Sequence, residues 1–323
     1  MQRLTGILKN LPIAKEARER ARMPTGPVRD RLLAAAQAIR QDPLEVERAY
    51  MARQLVQCTL PHRDPGAVPV WTRRNGTATL GLVPGMNIET GASYGYPYGT
   101  IPRLVLFWIT TEAVRTGNRR LQLADTLSQF MRALDLDPSR GGKRSDMRRL
   151  REQMTRLFRC HITFQDKAER MGAEGTKWRD MPVAPEGELW WSHTMPHQSA
   201  LWGSWIELGE KFFEAIMVAP VPVDMRALRA LKNSPLALDL YAWATHRVHR
   251  LEKAQFIPWK GLQEQVGTDY SNVDEFARKA KPALRKVCAV YPALNLRMQI
   301  GGFRLLPSTT AVPSQAELSR LSA

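Results

Sequence analysis

The chain has 323 residues and a formal net charge of +16, from 47 Lys and Arg against 31 Asp and Glu. Hydrophobic residues make up 44% of it, enough to build real cores, which excludes wholesale disorder. No apolar run approaches the roughly 18–20 residues of a membrane span, and the basic start MQRLTGILKN lacks the apolar core of a signal peptide, so a cytoplasmic protein is expected.

At this length two folded domains are the natural expectation. Cys58, Cys160 and Cys288 lie far apart and form no CxxC pair, which fits a reducing compartment. The cationic excess points to a polyanionic partner, nucleic acid first, with a basic but ordinary enzyme as the bland reading. Residues 1–94 carry 14 basic and 8 acidic side chains, residues 95–225 carry 18 and 16, and residues 226–307 carry 14 and 6. Within the nearly balanced middle stretch, residues 141–160 hold seven basic and two acidic side chains. A basic island in an acidic surround reads as a localised footprint.

In chain order, residues 1–94 are punctuated by prolines and read as a poorly packed arm, partly helical or flexible. Helices are expected over Val28–Arg40 and Pro43–Gln57, the second capped by Asp42. Residues 95–225 begin with an apolar helix, Ile101–Thr116, stopping before Gly117. A short strand at Leu121–Leu123 follows, then a helix capped by Asp125 and a turn at DLDPSRGG. Lys143–Phe158 is the next helix, with Met147, Leu150, Met154, Leu157 and Phe158 at helical spacing. Strands are expected at Ile162–Phe164, Glu188–Trp191 and Ser204–Leu208, with residues 165–187 as a long polar loop.

Residues 226–308 repeat the order. Ser234 caps a helix carrying Leu240, Ala244, Val248 and Leu251 on one stripe. Phe256–Trp259 is a strand, Gly261–Val266 a short helix and Asn272–Val290 a long one interrupted by Pro282. Asn295–Ile300 and Phe303–Leu306 flank Gly301-Gly302 as a hairpin. Helix, short strand, helix, helix, hairpin is the order of a winged helix. The expected fold is therefore α+β, mainly helical, with tandem winged-helix (helix-turn-helix) domains, an N-terminal arm and a tail at 309–323.

On the Lys143–Phe158 helix, Arg144, Arg148, Arg151, Thr155 and Arg159 form one stripe, flanked by Arg149 and Arg156. Guanidinium groups on an exposed helix face suit phosphates and guanine edges, and N-terminal residues of a second helix read bases in the major groove. Lys143, Arg144, Ser145, Arg148, Arg149, Arg151 and Arg156 are the DNA-binding candidates there, with a solvated basic face as the bland alternative. In the second block the candidates are Ser271, Asn272, Lys279, Lys281 and Arg285, with Arg297 and Arg304 beside the hairpin turn. Trp190, Trp191, Trp202, Trp205, Trp243 and Tyr241 read as core more than as stacking platforms.

Enzymatic motifs are missing. Gly141-Gly-Lys-Arg lacks the upstream glycine spacing of a phosphate-binding loop. His193 and His197 bracket Pro196, and His246 and His249 have no third ligand in sequence, so no metal is expected. No His-hydrophobe-His motif accompanies Tyr94, Tyr96 and Tyr98, which makes a nickase the weakest reading.

The run IELGEKFFEAIMVAPVPVDMRALRALKNSPLALDLYAWATHRV at 206–248 resembles plasmid-encoded RepA replication initiators. So do residues 106–136, REQMTRLF at 151–158 and VYPALNLRMQIGGFRLLPS at 290–308. The resemblance implies a non-enzymatic bacterial plasmid protein that binds direct repeats at an origin, opens DNA and recruits a host helicase or initiator. It implies two winged-helix domains and no catalytic residues or cofactor. Pro282 departs from the expected pattern and leaves the register after Ala280 open. A transcriptional regulator or autorepressor on the same fold is the alternative, and homodimerisation stays open.

Overall fold

A computed structural model of the chain describes residues 26–42, 45–139, 145–170, 173–191, 203–267 and 270–313. Its architecture is mixed α/β. Helix α1 (Pro27–Gln41) starts with proline in its first turn and buries Leu32, Ala36 and Ile39 against two later helices. The helix expected over 43–57 is replaced by strand β1 (Arg48–Ala52) and a short helix α2 (Arg53–Gln57). The apolar residues of this segment fit either period, and pairing with strand β9 (Pro220–Asp224), which sets Met51 opposite Val221, decides for a strand.

Strands β2 (Trp71–Asn75) and β3 (Ala78–Val83) form a hairpin turned at Gly76, which adopts a left-handed φ of 61°. Residues 45–94, expected as a loosely packed arm, therefore supply three strands to the body, with Leu80 and Leu82 fully buried. Helix α3 (Ile101–Thr116) has the expected bounds and ends at Gly117 in the left-handed region. After β4 (Arg120–Gln122), helix α4 (Leu127–Ala133) is capped not by Asp125 but by Thr126, which forms a reciprocal capping box with Gln129.

Helix α5 (Asp146–Arg159) leads into β5 (His161–Arg170), which contains the expected strand Ile162–Phe164, and β6 (Ala173–Asp180), a long hairpin where a loop is expected from residue 165. Its residues 165–167 and 174–179 are exposed. These exposed stretches carry no apolar alternation that would reveal them as strands. The β5–β6 hairpin extends the β2–β3 hairpin into a four-stranded sheet of order β2-β3-β5-β6. Strands β7 (Glu186–Glu188) and β8 (Trp205–Glu207) join β4 in a second sheet.

Helices α6 (Glu210–Val218) and α7 (Met225–Leu231) flank β9. Helix α8 (Pro235–Val248), capped by Ser234, is buried continuously from Leu236 to Thr245 and is the central helix of the fold. Strand β10 (Gln255–Pro258), helix α9 (Trp259–Val266), helix α10 (Val273–Val290) and strands β11 (Leu296–Gln299) and β12 (Gly302–Leu305) follow in the expected order. The last sheet has the order β10-β12-β11. Helix α10 runs through Pro282 without losing register, because Ala280, Ala283, Leu284 and Val287 stay on its buried face while Pro282 itself faces solvent.

One hydrophobic core runs from Leu32 to Leu305, crossing residues 94 and 225. At its centre lies a charged network. Arg103 of α3 pairs with Asp239 of α8 at 2.7 and 2.8 Å and donates to the carbonyls of Leu60 (2.6 Å) and Pro61 (3.0 Å). His62 Nε2 lies 2.8 Å from the same carboxylate. Burial outweighs that carboxylate and pushes the imidazole down to about 4, so this contact is a hydrogen bond from a neutral ring, not an ion pair. Arg103 holds Asp239 far below the usual carboxylate range despite its burial.

Candidate nucleic-acid interface

Helix α5 is held by an apolar face of Leu150, Met154 and Leu157 packed on α3. The opposite face presents Arg148, Arg149, Arg151 and Arg159 to solvent. Arg149 makes an exposed pair with Asp146 at 3.2 Å, which a stronger ligand can displace. The approach to the helix, including Lys143 and Arg144, lies outside the described residues.

Two candidates on this helix are occupied by the fold. Ser145 is buried, and its hydroxyl caps α5 by accepting from the Arg148 amide at 3.3 Å. Arg156 is only 15% exposed. Its guanidinium donates to Asp64 (3.1 Å), Glu152 (2.5 Å) and the Tyr96 carbonyl (3.2 Å) and lies 5.3 Å over the Tyr98 ring.

On α10, Asn272 caps the helix by accepting from the Glu275 amide at 2.8 Å. The Ser271 hydroxyl donates to the Glu275 carboxylate at 2.8 Å, and these bonds lower that carboxyl's pKa. Arg278, Lys279 and Lys281 are exposed, and Arg285 is half-buried. Lys281 reaches over the Trp259 ring at 5.8 Å. Arg278 stands three and seven residues before Lys281 and Arg285, in one helical row with them, while Lys279 lines up with Lys286.

The β11–β12 hairpin sets Arg297 directly opposite Arg304, both exposed. Like charges in that relation cost stability. Gly301 adopts φ 78° at the turn, and a Cβ on Gly302 would lie 2.1 Å from the Ile257 carbonyl, so both glycines are required. Ile300 projects from the tip, wholly exposed.

Loop residues 60–64 tie the two helices together, which sequence spacing does not reveal. Asp64 holds Arg156 of α5, while Arg63 lies 5.6 Å over Tyr270, just before α10. His62 meets the same ring edge-on at 6.1 Å. Part of the N-terminal charge is structural too. Arg73 is buried against the Trp71 ring and donates to Thr59 Oγ1 and to the Leu60 carbonyl.

Of the aromatics expected in the core, Tyr241 and Trp243 are buried, while Trp190 is exposed and Trp205 stacks with Arg120 at 3.7 Å. Trp202, His193 and His197 lie outside the described residues. Among the described residues no cluster of His, Cys, Asp or Glu has metal-binding geometry, and no helix is long and apolar enough to cross a membrane.

The structure is thus a mixed α/β body presenting two capped helices with exposed cations. Residues 96–260 match the family of plasmid-encoded RepA proteins, and the chain belongs to that family of replication initiators. The structure is similar to two crystal structures of domains 2 and 3 of RctB. One has 12% identity and TM-score 0.46 over 79% of this chain and 96% of that one. The other, a selenomethionine derivative, has 12% identity and TM-score 0.45 over 76% and 93%. No curated protein matches the chain.

Proposed function

We propose that this protein initiates plasmid replication by binding repeated duplex sequences at an origin through two winged-helix units, residues 95–225 and 226–308. Helices α5 and α10 enter successive major grooves. Arg148, Arg149 and Arg151, preceded in sequence by Lys143 and Arg144, read bases and phosphates on the first. Lys279, Lys281 and Arg285 neutralise phosphates on the second. Arg297 and Arg304 on the β11–β12 wing reach the adjacent backbone or minor groove. The bound protein then promotes strand opening and recruits a host helicase or initiator, acting without catalysis.

The observation that carries this reading is the pair of helices, each packed by an apolar face and each leaving a row of cations in water. A duplex carrying the direct repeats that flank the gene is the test ligand. Binding should weaken steeply with salt, by a log–log slope of about −0.9 per phosphate neutralised. A triple Arg148→Ala, Arg149→Ala, Arg151→Ala variant that binds the repeats normally would sink the assignment. Replication of a minimal plasmid carrying the gene and its repeats separates initiation from regulation alone, since a pure regulator represses without supporting replication.

A further inference from the structure

An open cleft of about 300 Å³ lies between the start of α8 and the middle of α10, closed on one side by the loop carrying Arg63. Three cations line it: Arg63, Lys279 and Lys286. No Asp or Glu is among its lining residues.

Several cations at other element junctions are matched instead: Lys232 with Asp135 at 2.7 Å, Arg229 with Glu47 at 2.5 Å, Arg226 with Asp224 at 2.8 Å. The two carboxylates near the cleft are already engaged. Asp239, behind the wall, is taken by Arg103 and His62, and Glu275 accepts from the Ser271 amide and hydroxyl. Arg63 is near enough to Glu275 to help lower that carboxyl's pKa, but among the described residues no ion pair within 4 Å joins a carboxylate to Arg63, Lys279 or Lys286. Lys286 is also half-buried, and that burial lowers its pKa. An ammonium withdrawn from water with no counter-ion is costly unless an anion completes the site.

The neutral groups of the cleft suit the same ligand. Ser234 Oγ accepts from the Ala237 amide at 3.2 Å, which leaves its O–H to donate. Asn233 adds an amide on the same rim. The Tyr270 ring underlies the Arg63 guanidinium and fixes it.

We infer that this cleft is a phosphate-binding site, taking a phosphoryl group flanked by Arg63, Lys279 and Lys286, with Ser234 and Asn233 as neutral donors. Three cations lining one cleft favour a polyanionic ligand such as a pyrophosphate unit over a monoanion. The inference shares Lys279 with the proposed DNA face but rests on the cleft's own geometry. The phosphoryl group belongs either to a small phosphorylated ligand or to a nucleic-acid backbone.

The test is calorimetric titration of the full chain with inorganic pyrophosphate at fixed ionic strength, without DNA. Saturable binding is expected, with a dissociation constant raised tenfold or more by Lys286→Gln and likewise by Arg63→Gln. Thermal melting verifies that each variant folds, and if one fails the other decides. Lack of saturable binding, or unchanged affinity in a folded variant, overturns the inference. The source follows from competition. Displacement of pyrophosphate by repeat-containing duplex assigns the cleft to DNA backbone, and simultaneous binding of both assigns it to a small ligand. DNA binding by the same variants is scored separately, so failure of the origin-binding reading is distinguishable from failure of the cleft.

Discussion

In residues 226–308 every strand pairs within its own stretch, with β10 and β11 flanking β12, whereas residues 95–225 complete two of their three sheets from upstream. Strand β9 needs β1, and the β5–β6 hairpin needs β3. The same contrast marks the basic helices. The flank of α5 is tied by Arg156 to a loop 92 residues earlier, while the cap of α10 is set by Ser271, Asn272 and Glu275 within one turn, with the same distant loop reaching the Tyr270 ring just before it. Local bonds make a region self-specifying, and distant ones make it dependent on the whole chain.

The strongest perturbation of this contrast acts through the buried network that joins both regions. Asp239→Asn leaves the Arg103 guanidinium buried without its counter-charge, and unfolding free energy should fall by about 3–5 kcal/mol. Urea denaturation followed by circular dichroism and tryptophan fluorescence should still give one coincident transition. Two separate transitions would show that the regions are not coupled there.

A second experiment sets the helices against each other on DNA. Arg148→Ala with Arg149→Ala should cost about 1–3 kcal/mol for each guanine no longer read and relax sequence preference. Lys279→Ala with Lys281→Ala should weaken all duplexes alike and reduce the salt slope by about 1 per residue. Fluorescence anisotropy on repeat and scrambled duplexes at several salt concentrations reads both. Equal behaviour of the two pairs would remove the division of labour.

Acid should act on the shared centre. His62 is held near 4 in the folded chain against an ordinary 6.5, so the unfolded state takes up its proton first. Its contribution is whole above pH 6.5 and is lost as pH falls toward 4. The melting temperature should drop over that window, and His62→Gln should flatten the drop. The smallest effect is expected at Arg156, where Arg156→Gln should cost about 1 kcal/mol of stability with DNA affinity unchanged. A matching loss of affinity would return Arg156 to the interface.

The same physics governs what is readable from sequence. Helix α3 and the cap Ser234 are legible because their determinants sit within a turn or two, whereas Ser145 and Asn272, read from the sequence as DNA-binding residues within their helices, prove to be the caps. The β10–β12 region is legible in full order, with Gly301-Gly302 marking its hairpin. Strand β1 is not, because its apolar spacing fits a helix equally and only β9 decides. The β5–β6 hairpin is hidden by its polarity. The β2–β3 hairpin is legible in principle, since Asn75-Gly76 between Trp71/Arg73 and Leu80/Leu82 is a hairpin signal, but surrounding Gly and Pro obscure it. The cationic rows are visible as helical stripes. Which cations the fold uses internally is not, because Arg156 finds Asp64 and Arg63 finds Tyr270 only in three dimensions.

The clasp formed by residues 60–64 has a consequence for how such a chain is inherited and dissected. The family match begins at residue 96 and ends at residue 260. A fragment cut at those points would strip Arg103 of the Leu60 and Pro61 carbonyls, leave β9 without β1, take β3 from β5 and sever β10 from β12. The recognisable segment is thus not a portable module. Its neighbours on either side travel with it, and recombination that swaps one basic helix must carry the clasp along.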